Sequence, residues 1–166
     1  EDPVIYIDDR WLYDEKANIN NVKILDLKNE SPEKIIEGND MTIITSGFST
    51  KLARDAIEKF TVNKNCSIEL FDLRVISPIN YDSIIKSIMK TKRFIVIDGG
   101  WKTCGLASEI ISSVVERIDA GILLSKPVNV SLSESPAPSS RLLEENYYLT
   151  EEKLLDLLNR ELKDFI

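Results

Sequence analysis

Residues Phe94 to Ile110 constrain the fold more than any other stretch. Phe94-Ile95-Val96-Ile97 is a short apolar run with the length of a buried strand, and Asp98 closes it. Gly99-Gly100 then breaks the chain, and Gly105 opens a segment with helical spacing: Leu106, Ile110 and Val114, with Ala107, Ile111 and Val115 beside them. Strand, glycine turn and helix make the half-unit of an α/β sheet, whose turns are where such folds place ligands or partners. The turn lacks the chemistry of a phosphate loop. Gly100 and Gly105 have P-loop spacing, but Leu106-Ala107 stands where Lys and Ser/Thr are required. A dinucleotide fingerprint is excluded too, because Gly99 and Gly100 are adjacent instead of alternating. Gly99, Gly100 and Gly105 therefore read as a structural turn that lets a helix pack closely on a sheet. Trp101 reads either as packing for that turn or as an anchor for another surface.

The same alternation continues on both sides. Met41–Thr45 is β-branched and ends in Ser46-Gly47, and Thr50–Phe60 puts Leu52, Ala53, Ala56, Ile57 and Phe60 on one helical face. Ser67–Leu73 alternates as a strand. Asn80 can cap a helix over Tyr81–Lys90, and Val128–Ser131 is a further strand. Thr150 can cap a closing helix to about Lys163 with Leu154, Leu155, Leu158, Leu162 and Phe165 as its stripe. Ser133–Ser140 has two prolines and little to bury, and reads as a surface loop. The expected fold is α/β: a three-layer sandwich with a mostly parallel sheet of about five strands. Three earlier stretches complete the reading. Pro3–Asp8 is expected to be a strand, Val22–Leu27 a short extended piece, and Ser31-Pro32-Glu33 the start of a brief helix ended by Gly38. Asp14–Asn21 is polar and reads as a linker. A strand alone before a linker, and a first residue that is not Met, give the expectation that this is part of a longer protein.

Composition removes several function classes. The chain of 166 residues suffices for one well-cored domain. Its net charge of −7 comes with dispersed Lys and Arg, so no basic stripe for nucleic acid is present. No apolar run approaches the roughly 20 residues of a membrane helix. There is no histidine, which rules out Ser-His-Asp, Cys-His and imidazole-metal sites. Cys66 and Cys104 stand apart without a ligand cluster, and read as buried reduced thiols in preference to a structural disulfide.

Several blocks occur together in one order: Gly38-Asn39-Asp40-Met41 through Gly47, Asp72-Leu73-Arg74 through Pro78, Asp98-Gly99-Gly100-Trp101 with Gly105-Leu106-Ala107-Ser108-Glu109-Ile110, and Pro136-Ala137-Pro138-Ser139-Ser140 before Leu143-Glu144. In this the chain resembles the C-terminal (transketolase C-like) domain of the beta subunit of thiamine-diphosphate-dependent 2-oxo acid dehydrogenase components, the pyruvate dehydrogenase type above all. The resemblance covers nearly the whole chain, though residues 14–40 match only loosely. It implies that residues 1–21 are the exit strand and linker from an upstream pyrimidine-binding domain and that residues 22–166 form the C-terminal domain. It implies further that thiamine diphosphate and Mg are bound outside this chain, that the catalytic glutamate and histidines lie upstream, and that this chain contributes no catalytic and no cofactor-binding residue. The implied partners are an alpha subunit and a second beta subunit in a heterotetramer, and the peripheral domain of the dihydrolipoyl acyltransferase. The implied location is the bacterial cytoplasm or the mitochondrial matrix.

Individual residues carry two readings each. Arg74 matches a motif near the family's substrate channel, and equally suits an ion pair with a neighbouring acid. Trp101 gains a channel edge or subunit boundary as its family role. Glu109 suits the first turn of its helix, where a carboxylate meets free N–H groups. From Arg141 to Ile166 seven acids face four bases. By residues alone this end reads as a solvated helix end; the resemblance implies instead that Glu161, Asp164, Phe165 and Ile166, with the terminal carboxylate, contact the basic peripheral domain. Competing readings are a non-catalytic interaction module of the same fold, and the same domain of a transketolase or deoxyxylulose-phosphate synthase-like enzyme.

Overall fold

The computed structural model describes residues 3–7, 9–16, 18, 26–62 and 64–163. Five strands form one sheet: β1 (Glu33–Ile36), β2 (Met41–Thr45), β3 (Ile68–Asp72), β4 (Phe94–Trp101) and β5 (Val128–Leu132), in the spatial order β1-β3-β2-β4-β5. β2 pairs in parallel with β3 and β4, and β4 in parallel with β5, while β1 runs antiparallel at the edge beside β3. The helices are α1 (Phe48–Phe60), α2 (Asp82–Thr91), α3 (Leu106–Arg117), α4 (Arg141–Tyr147) and α5 (Glu151–Glu161).

Strand alternation divides the core between two faces. Ile43, Ile95 and Ile97 point to one side, where Ala53, Ala56, Ile57 and Phe60 of α1 meet Leu154, Leu157 and Leu158 of α5. Ile44, Phe94 and Val96 point to the other, against Ile84 and Ile88 of α2 and Ala107, Ile110 and Val114 of α3. A sheet covered on both faces reads in sequence as continuous apolar runs; Phe94–Ile97 is one, and Met41–Thr45 is buried throughout with Thr42 and Thr45 as its two polar members. The expected three-layer, mostly parallel fold is the one observed.

Covering both faces also buries one acid. Glu69 of β3 is 1% exposed, yet Lys90 of α2 lies 2.9 Å and Lys34 of β1 3.4 Å from its carboxylate. Burial works to raise the Glu69 carboxyl, but the Ser87 hydroxyl and the two ammonium groups outweigh it and hold it below the usual range. Beside it the Thr42 hydroxyl bonds both Ser87 and Thr91 at 2.7 Å. Thr42→Val keeps the shape and leaves both partners short of one bond. It should cost roughly 1–2 kcal/mol in equilibrium urea unfolding.

Four expectations are corrected. Ser31-Pro32-Glu33 opens β1 and not a helix. One isolated helical turn is costly to nucleate, whereas an antiparallel edge strand satisfies its backbone on β3 and tolerates Pro at its start. Residues 3–7 form no strand; Val4 to Ile7 are 85–88% exposed with no sheet beside them. Of Val22–Leu27, residues 22–25 lie outside the described residues, and Leu27 is in a turn. β4 does not end at Asp98. It continues to Trp101 through an irregularity in which four steps, Ile97 to Trp101, span two on β5, Val130 to Leu132. Among the cysteines, Cys66 is half-buried and Cys104 exposed, so burial fails for Cys104.

Candidate crevice at the sheet switch point

From β2 the chain passes outward to β3, then returns across to β4 on the opposite side. The two halves of the sheet diverge between β2 and β4, and a crevice opens beyond the carboxyl ends of those strands, as doubly wound sheets require. A cavity of about 680 Å³ lies there. Ser46 and Gly47 leave β2 on one side. Asp98 and Gly99 of β4 and Val130–Ser133 of β5 form the other, and Tyr147, Tyr148 and Leu149 close the end.

Gly47 turns the chain from β2 into α1 with φ 58° and ψ −132°, a combination open essentially to glycine alone. It supplies no side chain to cap α1; its carbonyl accepts the Thr50 N–H at 3.0 Å, which leaves the Phe48 and Ser49 N–H groups without a capping side chain. Ser49, on the first turn, is 7% exposed. Its hydroxyl has no hydrogen-bond partner among the described residues and comes within 4.0 Å of where a Cβ on Gly99 would stand.

Asp98 ties the far wall together. Its carboxylate accepts from the Gly100 N–H at 2.8 Å and from the Ala107 N–H at 3.2 Å, anchoring β4 to the start of α3. Lys153 lines the crevice but is not a free cation. Its Nζ donates to the carbonyls of Glu145, Asn146 and Tyr148 at 2.7–3.0 Å, completing the end of α4. The segment before the sheet reaches the mouth. Trp11 packs between Phe48 and Tyr148, with ring centroids 5.3 and 5.9 Å away. Glu15 lies 3.4 Å from Lys51 and 4.0 Å from Arg54 of α1.

Of the residues singled out from sequence, Gly99 lines the crevice, and Gly100 and Gly105 hold its wall. Trp101, 53% exposed, donates from Nε1 to the Tyr147 hydroxyl at 3.2 Å; that hydroxyl in turn donates to the Ser135 carbonyl at 2.8 Å. Trp101 thus stands behind the wall, not in it. Arg74 is ion-paired with Glu33 at 3.3 Å and Asp72 at 3.6 Å, and lines a separate hollow of about 310 Å³ on the other side of Ser46-Gly47. Glu109 stands in the first turn of α3 and accepts from Ser113. Glu161 pairs with Arg160 at the far end of α5, roughly 15 Å of helix from the crevice; Asp164, Phe165 and Ile166 lie outside the described residues. Sequence reasoning missed Trp11, Ser49, Tyr147 at the end of α4 and Tyr148 just after it. Only the Trp-Leu-Tyr and Tyr-Tyr clusters hinted at them.

The family model of the transketolase C-terminal domain matches residues 33–154. The Rickettsia conorii pyruvate dehydrogenase E1 component subunit beta is 33% identical over 146 residues, 87% of this chain and 43% of its own length. The acetoin:2,6-dichlorophenolindophenol oxidoreductase subunit beta of Bacillus subtilis is 29% identical over 158 residues, 94% of this chain and 45% of its own. The chain spans about half the length of the curated relatives it matches. Among solved structures, a split-gene transketolase described as an inactive beta4 tetramer superposes with TM-score 0.69 at 18% identity, over 88% of this chain and 46% of that one.

Proposed function

Because the chain belongs to the transketolase C-terminal domain family, we propose that it serves as the C-terminal domain of a 2-oxo acid dehydrogenase beta subunit, with pyruvate as the substrate of the whole enzyme. The whole enzyme decarboxylates the 2-oxo acid and passes the acyl group to lipoyl-lysine; this domain supports assembly and docking. The observation that carries the reading is the match to beta subunits over most of this chain and under half of theirs. Residues 1–21 are then the exit from a pyrimidine-binding domain and 22–166 the domain itself. The partners are an alpha subunit, a second beta subunit and the peripheral domain of the acyltransferase, in the bacterial cytoplasm or the mitochondrial matrix. Relatives from bacteria and from yeast mitochondria are compatible with either. No helix among the described residues is long and apolar enough to cross a membrane.

Thiamine diphosphate with Mg does not suit the crevice. A magnesium diphosphate needs convergent oxygen ligands with free lone pairs. Asp9 and Asp98 are the only carboxylates lining it, and no three potential ligands converge among the described residues. The reading therefore places the cofactor outside this chain, and Arg74 and Trp101 at the edge of the active-site entrance. Glu161, Asp164, Phe165 and Ile166 form the docking surface.

Isothermal calorimetry of the 166-residue chain with thiamine diphosphate and Mg should give no heat of binding. Tight binding would overturn the assignment. Deleting Phe165 and Ile166 should weaken capture of the acyltransferase peripheral domain about tenfold, and more steeply as salt rises. Unchanged affinity would move the docking surface elsewhere.

A further inference from the structure

The crevice holds an arrangement that assembly and docking do not use. α1 is 13 residues long, and its amino end opens into the cavity without a cap. Uncapped first-turn N–H groups and the helix dipole favour an anion at that point. Ser49 adds a hydroxyl that is nine-tenths buried, unpartnered among the described residues and directed at Gly99 across the crevice. Ser49 lines the cavity, so its hydroxyl is placed to bond a ligand oxygen there. The cavity, at about 680 Å³, is of small-molecule size. Leu52, Val130 and Leu149 give it an apolar side.

The chain already holds an anion close to this point. The Asp9 carboxylate accepts from the Trp11 N–H at 3.1 Å through Oδ1, and its Oδ2 lies 4.0 Å from where a Cβ on Gly47 would stand. Asp9 thus faces the end of α1 but makes no hydrogen bond to it. The other carboxylate of the crevice, Asp98, is held at the wall by the Gly100 and Ala107 N–H groups.

We propose that the amino end of α1, with Ser49, is a binding site for the oxyanion of a small carboxylate or phosphate compound, and that Asp9 is its competitor within the chain. A ligand oxygen takes the first amides of α1 and the Ser49 hydroxyl, and its apolar body lies against Leu52, Val130 and Leu149. Asp9 repels it, and with Trp11 sets how open the mouth stands.

Amide NMR titration of the 166-residue chain tests this at constant ionic strength, with inorganic phosphate in one arm and acetate in the other. The Phe48, Ser49 and Gly99 amides should shift together in at least one arm, which identifies the oxyanion preferred. Asp9→Asn keeps the acceptor for the Trp11 N–H and removes the charge; it should tighten binding roughly threefold. Ser49→Ala should weaken binding about tenfold or more, and Ser49→Thr, which keeps the hydroxyl, should restore it. Absence of shifts in Asp9→Asn with both probes overturns the proposal. So do shifts of equal midpoint in Asp9→Asn, Ser49→Ala and the parent chain.

Discussion

Alanine at position 105 should cost about 3 kcal/mol or more in equilibrium urea unfolding, the upper end for forcing atoms into packed structure. A Cβ there would stand 2.0 Å from the Trp101 carbonyl oxygen and 3.2 Å from its carbon, both backbone atoms that cannot swing aside. The clash pushes α3 off the end of β4 and strains the Asp98 bond to Ala107. Gly99→Ala, near the end of β4, is the control. Its Cβ meets nothing closer than the Ser49 hydroxyl at 4.0 Å, so its effect should stay within about 0.5 kcal/mol. Equal losses at both positions would mean that this segment needs flexible glycines rather than one close approach.

The second large effect concerns Glu69. Replacing Lys34 and Lys90 together by Met leaves a buried carboxylate without a cation, which should cost about 3–5 kcal/mol at neutral pH. The pH dependence distinguishes this from lost packing. In the parent chain the Glu69 carboxyl is held below its unfolded value, so its contribution is full above the ordinary glutamate range and is lost as pH falls through the folded value. In the double variant burial acts unopposed by ammonium groups and raises the carboxyl. The penalty then disappears as Glu69 takes up a proton. The stability gap should therefore be widest near neutrality and close towards pH 4. A gap of constant size across that range would assign the loss to packing alone.

Glu69 also shows where sequence reading stops. Ile68-Glu69-Leu70 alternates as if one face of β3 met water. Only the arrangement of the sheet reveals that α2 covers that face and that cations arrive from β1 and α2. The central strands and α1, α2, α3 and α5 were legible, because apolar spacing is local; α4, a short helix exposed along most of its length, was not. β1 was misread because Ser-Pro-Glu is a sound helix signal that tertiary pairing overrode. The irregular end of β4 was hidden because two glycines signal a break whether or not a neighbour keeps pairing. Gly99 and Gly100 read as a break but lie within β4, and the turn comes only after Trp101, just before Gly105. The crevice was not legible, since its position depends on β4 returning to the other side of β2, and strand order is not written in local pattern. Ser49 and Tyr148 lie 99 residues apart in the sequence, and nothing in either segment announces that they share a cavity.

The burial of β2 has a consequence for how the crevice responds to an occupant. All five of its residues are buried, with a paired strand on each side, so its amides should exchange with solvent water only when the whole domain opens. β5 has no fully buried residue, and α4 is exposed along most of its length. Its amides, and those of residues 9–15, belong to the fast-exchanging end of the scale. The crevice therefore has a fixed floor at Ser46-Gly47 and a yielding rim. The amides that meet an oxyanion are set by the most persistent part of the domain, while the walls that judge the rest of the molecule can adjust to it.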